Sequence, residues 1–368
     1  MIERVLTLRE LNRAALSRQM LLRRETLPVS DAVGRLAGLQ AQVASPPYVG
    51  LWTRLQGFEA RDLTLALHEK QVVRAAMMRS TLHLVTSEDY LLLWPAIQPA
   101  LVRALGAFFG RRGRELDVEK LVSAARTWLN EQPRTQGELR ALLSELEPGR
   151  DPAAMSYAVR SYLPLVQIPS GGRWGYSNRP SYALAEDWLG RGISGTGDPS
   201  SLVFRYLAAF GPATVMDLQA WSGLVRLKET VSELKPDLRV YHDEAGRELL
   251  DLPGAPLPPA TLAAPVRFLP DYDNLVLSHA DRPRVIPDEH RPKVFLSAGR
   301  VRATFLVDGF VAGIWRIGKS GRTATLLVEP FGKLPQDALD ALAAEGKRLL
   351  RFVESDTATI SVRFAVTP

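Results

Sequence analysis

The sequence contains no cysteine. Disulfides and thiolate metal sites are therefore excluded outright. Histidine is sparse: His68, His83, His242, His279 and His290 are scattered, with no metal-ligand spacing. No metal site and no cofactor are expected. No unbroken apolar run of ~18 residues is present, so no membrane span is expected. The opening Met1-Ile-Glu3-Arg4 carries charge and leads into no apolar segment of the kind a signal peptide has. The expected setting is the cytosol. Lysine is also scarce, eight against 38 arginines. Arginine binds phosphate bidentately and stacks on bases. A GC-rich coding bias would give the same excess, and the high alanine, glycine and proline content fits that too. The net charge of +6 suggests a polyanionic partner without proving one.

What is present is length, and a repeat within it. The 368 residues allow two or three domains. Pro133-Arg-Thr135-Gln-Gly-Glu138-Leu139 and Pro212-Ala-Thr214-Val-Met-Asp217-Leu218 share one pattern. Threonine is a good N-cap, and an acid three residues on completes a capping box. Each motif thus opens a helix, and each follows an amphipathic one, Leu121–Leu129 or Leu202–Leu207. That is helix-turn-helix grammar. A further helix and a hairpin are expected after each. The first set is Met155–Tyr162, then strands Leu163–Ile168 and Arg173–Tyr176. The second is Leu224–Leu234, then Leu238–Tyr241 and Arg247–Asp251. A weaker third copy opens the chain, with helices Leu11–Arg23 and Asp31–Leu39 and a wing of Val72–Met78 with Thr81–Val85.

The last third alternates in the β manner. Strands are expected at Val294–Ser297, Arg300–Val307, Phe310–Trp315 and Thr323–Val328. Asp308-Gly309 is a strong hairpin signal, and a second turn is read at Gly318–Gly321. A helix over Pro335–Val353 and a strand near Ile360–Val366 close the chain. The expected fold class is α+β: three tandem winged helix-turn-helix units and a C-terminal antiparallel β subdomain. The expected boundaries are 1–116, 117–197, 198–258 and 259–368, with proline-rich 253–259 as the clearest linker. Trp52, Trp94, Trp128, Trp221 and Trp315 fall on apolar faces and are read as core. Arg103, Arg111, Arg112 and Arg114 are read as a solvated helix end.

Gln40 and Gln42 stand out at the end of the helix read from Ser30. Within a helix, residues i and i+2 point ~200° apart. Pro46 and Pro47 force the chain out of helix just beyond, which would let both amides face one cleft. On residue type alone they are equally solvated or capping groups. Asp271, Asp273 and Asn274 read first as turn formers, and His83 as a satisfied strand histidine.

Taken together, these segments resemble the AlkZ and YcaQ group of winged-helix DNA glycosylases. The resemblance rests on Leu11-Asn-Arg13, Gly38-Leu-Gln-Ala-Gln42, Arg79-Ser-Thr-Leu-His83, Leu269-Pro-Asp-Tyr-Asp273-Asn-Leu, Arg282 and Asp308-Gly-Phe-Val-Ala-Gly-Ile-Trp315. It runs over nearly the whole chain in matching order. It implies a concave basic surface for duplex DNA and a catalytic Gln-Φ-Gln motif on Gln40, Ala41 and Gln42. The YcaQ branch has aspartate at the second site, so Gln42 places this chain nearer the AlkZ branch. Ala41 is a small member of the middle class. The resemblance also implies a β-hairpin in the DNA cleft, read at Lys319, Ser320 and Arg322, with Arg300 and Arg302 as second choice. Arg79, His83 and Arg282 become candidate DNA contacts, and Asp271, Asp273 and Asn274 site-framing groups. The implied partner is double-stranded DNA containing alkylated or crosslinked purines. A three-unit clamp needs no second chain, so a monomer is expected. No lysine adjoins the glutamines, so Schiff-base lyase chemistry is not suggested. A winged-helix regulator and a catalytically dead binder of damaged DNA are the competing readings. No dimerisation helix or ligand domain is evident for the first, and the intact glutamine pair disfavours the second.

Overall fold

The computed structural model describes residues 4–355 and 357–365. The described chain begins with β1 (Val5–Leu6) and α1 (Leu8–Arg18). Thr7 and Glu10 form a full capping box at the start of α1. There follow α2 (Val29–Arg35), β2 (Leu39–Gln40), α3 (Pro46–Trp52), α4 (Ala60–His68), β3 (Val72–Ala76) and β4 (Leu82–Thr86). The expected wing is present, as β3 and β4 pair antiparallel from Val72↔Thr86 to Ala76↔Leu82. The helix expected to run to Leu39 stops at Arg35. Ala37 and Gly38 both take positive φ there, and the chain turns into the extended β2, which pairs with β4.

The long α5 (Ser87–Phe109) and short α6 (Arg111–Arg114) lead onward. By length and composition alone α5 could cross a membrane. Its stripe of Tyr90, Trp94, Ile97 and Leu101 is instead buried in the largest core cluster. Next come α7 (Val118–Glu131), β5 (Arg134–Thr135), α8 (Gln136–Leu146), α9 (Pro152–Tyr162), β6 (Leu165–Gln167), β7 (Ser181–Leu184) and α10 (Ala185–Leu189). The Thr135–Glu138 capping box forms as expected. The second wing strand does not fall at Arg173–Tyr176. Those residues lie in a turn-rich loop, and β6 pairs with β7 instead. Gly172 and Gly175, both at positive φ, keep this loop out of the ladder.

The third segment holds α11 (Ser200–Phe210), α12 (Val215–Ser222), α13 (Lys228–Leu234), β8 (Arg239–Asp243) and β9 (Glu248–Asp251). The Thr214–Asp217 capping box starts α12. Ala213 makes an isolated bridge to Leu250. All three segments therefore repeat one order: helix, short strand, two helices, then two strands. In each, the short strand pairs with the last strand, as β2 with β4, β5 with β7, and Ala213 with β9. These are winged-helix-like units. The first begins at α2, not at α1 as the sequence suggested. β1 instead runs parallel to β8 and joins the third unit. β3 and β6 also pair antiparallel, fusing the first two units into one six-stranded sheet of order β2-β4-β3-β6-β7-β5.

The remainder comprises β10 (Arg267–Leu269), α14 (Asn274–Leu277), α15 (Arg291–Val294), β11 (Thr304–Val307), β12 (Phe310–Ser320), β13 (Thr323–Pro330), α16 (Gln336–Val353) and β14 (Thr359–Phe364). The five strands form a sheet in sequence order. It is not wholly antiparallel: β14 runs parallel to β13, because α16 supplies a crossover between them. No strand forms at Val294–Ser297: Val294 ends α15, Phe295 makes a lone bridge to Val301, and Ser297 opens a 3-10 turn. The strand read from Arg300 starts only at Thr304. The turn read at Gly318–Gly321 is tighter, since Ser320 pairs with Thr323 and only Gly321 and Arg322 turn. Val366, placed in the last strand by sequence, lies outside the described residues.

Candidate active site and nucleic-acid interface

The two glutamines lie on and just after a strand, not at a helix end. Leu39 pairs with Leu84, Gln40 with His83, and the Ala41 amide donates to the Leu82 carbonyl at 2.7 Å. Gln40 ends β2, and Gln42 lies two residues on in the bend that follows, where its side chain borders a groove. Gly38 makes the approach possible. Its φ is +89°, and a Cβ there would lie 2.9 Å from the Leu84 carbonyl oxygen.

The strand is clamped from three directions. Asn274 donates through Nδ2 to the Leu36 and Gly38 carbonyls, and its Oδ1 accepts from the Gln40 amide at 3.4 Å. Arg74 donates to the Ala41 carbonyl at 2.9 Å and the Gln42 carbonyl at 3.2 Å. Arg79 donates from Nη2 to Gln40 Oε1 at 2.8 Å and from Nη1 to the Trp221 carbonyl. Gln40 is buried, and Gln42 is exposed. Gln42 Oε1 accepts only a longer bond, 3.3 Å, from the Leu82 amide.

Charge around the pair is positive. Desolvation draws Arg79 down to about 10, helped by the neighbouring Arg282, so it remains a cation at neutral pH. His83 is 2% exposed. Burial first, then Arg79, pushes it down to about 3. Its ring is therefore neutral, and Nδ1 lies 3.0 Å from the Thr81 carbonyl, which fixes the proton there and leaves Nε2 as an acceptor. This is the satisfied strand histidine read first from sequence, and the DNA contact implied by the resemblance would be made by a neutral ring. Arg282 packs over Phe295 at 4.4 Å, and its Nε has no partner among the described residues.

The three framing candidates separate. Asn274 belongs to the glutamine strand, as above. Asp273 makes two 2.8 Å bonds to Arg54, with both side chains fully buried, and caps α14 through the Leu275 amide. Asp271 accepts from the Ala303 amide at 2.9 Å and lines a separate cleft of about 340 Å³ with Arg302, Trp174 and Trp315. Arg300 is exposed, with no role in the glutamine strand. Lys319, Ser320 and Arg322 are exposed at the tip of the β12–β13 hairpin. Lys319 pairs with Glu354, which also meets Arg173 at 3.5 Å. That shared carboxylate ties the hairpin to the loop before β7.

Beside Gln42 opens a groove of about 700 Å³ across the six-stranded sheet. Arg74, Arg140, Arg160 and Arg179 line it, with Trp174, Tyr176 and Tyr182 between them. Among the described residues no aspartate or glutamate lines it. Arg74 stacks on Tyr176 at 4.9 Å. Sequence reading passed over these residues. The one available signal was Arg74 itself, an arginine inside the apolar run Val72–Met78. The others converge only through the pairing of two distant units.

The family model described as DNA glycosylase AlkZ-like matches residues 33–352. A curated relative from Streptomyces sahachiroi, named an interstrand DNA cross-link repair glycosylase, is 27% identical, over 90% of this chain and 94% of that protein. The solved structure of Streptomyces sahachiroi DNA glycosylase AlkZ superposes with a TM-score of 0.78, covering 98% of this chain and 100% of that one at 24% identity. With the family model spanning the glutamine strand, the clamps around it and most of the C-terminal sheet, the chain belongs to the AlkZ-like family of DNA glycosylases.

Proposed function

We propose that this protein is a monofunctional DNA glycosylase that hydrolyses the N-glycosidic bond of cationic N7-alkylated purines in duplex DNA. Bulky adducts and interstrand crosslinks share that chemistry, and the curated relative's name makes crosslinks a natural member of the set. The tandem winged-helix-like units would form the concave surface on which the duplex lies. One observation carries the reading. A rigidly clamped Gln40 ends β2, and two residues on an exposed Gln42 borders an arginine-lined groove.

The chemistry suits amides. An N7-alkylated purine is already positive, so the C1′–N9 bond breaks with its electron pair passing to the base, which leaves neutral without being protonated. The sugar becomes oxocarbenium-like. A water then bonds to C1′ and loses one proton. Gln40 Oε1 is engaged by Arg79, which leaves its amide protons available to hold that water. Gln42 Oε1 can exchange its long bond to Leu82 for one from the water. Glutamine is too weak a base for early proton removal. The pair therefore serves a substrate whose leaving group is pre-activated, and discriminates against undamaged bases.

The test is strand cleavage. A labelled duplex carrying one N7-methylguanine is incubated with wild type or the Gln40→Ala/Gln42→Ala double variant, then treated with alkali. Cleavage by wild type alone is the expected result, and crosslinked duplex is the next substrate. Equal cleavage by both would remove the glutamines from the mechanism. Absence of cleavage on methylated and crosslinked duplex alike would favour a non-catalytic DNA binder.

A further inference from the structure

The first two winged-helix-like units are related by more than sequence order. Read by role, the fused sheet runs short strand, last strand, middle strand, then middle, last and short again. Its centre is the antiparallel β3–β6 pair, where Arg74 faces Gln167 and Ala75 faces Val166. An antiparallel pairing of like strands creates a local two-fold axis normal to the sheet. The groove lies astride that axis. Gln42 and Leu82 of the first unit border one end, and Thr135, Gln136 and Tyr182 of the second border the other.

Three further observations describe what the groove holds. None of its four arginines has a carboxylate within ion-pair distance among the described residues. Gln167 is 3% exposed and its Nε2 donates to the Tyr182 hydroxyl at 2.8 Å, while its unpartnered Oε1, an acceptor, would meet a phosphate oxygen only through a bridging water. Finally, the groove ends at the first turn of α8, an 11-residue helix whose Thr135–Glu138 cap leaves the Gln136 and Gly137 amides without intrahelical partners. Uncompensated guanidinium groups, interleaved aromatics and a helix start together fit phosphodiester oxygens.

We propose that this groove is a phosphate cradle for the undamaged strand, formed by the second unit through Arg140 and Arg179 while the first unit serves the damaged strand. The inference rests on duplex DNA being the substrate. Two copies of one unit related by a two-fold axis meet the two antiparallel strands of a duplex equivalently. The first unit carries Gln40 and Gln42 on or just after its short strand, so it must face the lesion. The matching strand of the second unit, β5, carries no such pair and leads directly into α8. Five interstrand steps separate β2 from β5, roughly 24 Å. That is enough for a phosphate row on each side of a major groove ~12 Å wide. Arg140 and Arg179 are exposed, so truncating them disturbs little packing.

The experiment measures duplex binding by fluorescence anisotropy, so its readout does not depend on excision. Each duplex carries one N7-methylguanine on a 2′-fluorinated sugar, which resists excision and fixes which strand is the damaged one, with neutral methylphosphonates at successive positions in that strand or in the other. Wild type is compared with Arg140→Ala/Arg179→Ala and with Arg140→Lys/Arg179→Lys. The expected alanine variant binds at least about tenfold more weakly, with a salt dependence shallower by ~2. The lysine variant recovers most of that slope. Neutralising phosphates opposite the strand that is excised weakens wild type but adds nothing to the alanine variant, and neutralising the excised strand weakens both alike. Coupling to the excised strand, coupling to both strands equally, or an unchanged salt dependence would each overturn the proposal. A strand-selective coupling in a protein that excises nothing would keep the cradle and remove the glycosylase reading.

Discussion

Arg54 and Asp273 are both sealed from solvent and joined by two parallel bonds. Arg54 also donates to the Gln19 and Gly50 carbonyls. Breaking such a pair leaves a buried charge without compensation, which costs about 3–5 kcal/mol. Asp273→Ala should lower the unfolding free energy measured in urea by that order, and Arg54→Met/Asp273→Leu should recover part of the loss. His83 gives a second prediction. Its folded pKa lies below its ordinary 6.5, so the unfolded chain binds more protons between about 3 and 6.5. The stability it supports is whole above 6.5 and drains away as the pH falls toward 3. Thermal midpoints across that window should fall less steeply for His83→Gln than for wild type. The excision rate should show no step near 6.5 from this ring. At this scale the sequence was informative about residue type and silent about partners. It grouped Asp271, Asp273 and Asn274 as framing one site, whereas their side chains go to three different places. Their partners are Ala303, Arg54 and the Leu36–Gln40 segment, as much as 238 positions away, and no local pattern encodes such a pairing.

Among the elements, those defined by their own residues were legible and those defined by distant ones were not. The Thr135 and Thr214 capping boxes are complete within four residues, and both helices start where the motif puts them. Thr214→Ala should cost ~1 kcal/mol in chemical denaturation. The strand that carries Gln40 is different. Leu39 and Gln40 pair with β4, Asn274 reaches in from α14, and Arg74 from β3 holds the next two carbonyls. Helical propensity on the preceding side lost to those contacts. Gly38 shows how little room remains. An added Cβ would also sit 2.7 Å from Val85 Cγ1, at a φ that side chains rarely adopt. Gly38→Ala should therefore shift β2, destabilise the fold by at least ~1 kcal/mol, and lower excision without altering the DNA salt dependence. An unchanged excision rate would mean that the position of β2 is not critical.

At the scale of the whole molecule, three winged-helix-like units and a mixed sheet share cores instead of forming separate beads. The largest cluster joins Val85 and Trp94 with Val166, Tyr206 and Trp221. Ala75 and Val166 face one another in the ladder that fuses the first two units. Their amides should exchange hydrogen in one protection class, since the sheet cannot open on one side of that seam alone. The first helix has a wider consequence. Asn12 bonds the Arg284 and Gly309 carbonyls, Arg13 bonds Asp308, and Arg18 makes a buried pair with Asp251. Such contacts close chain loops of hundreds of residues, and long loops are slow to form. During synthesis this helix can first pack on α11 and pair with Asp251, and its polar contacts to Arg284, Asp308 and Gly309 can close only after those residues have been made. One short helix thus joins the third winged-helix-like unit to the C-terminal sheet, and its full set of bonds needs nearly the whole chain.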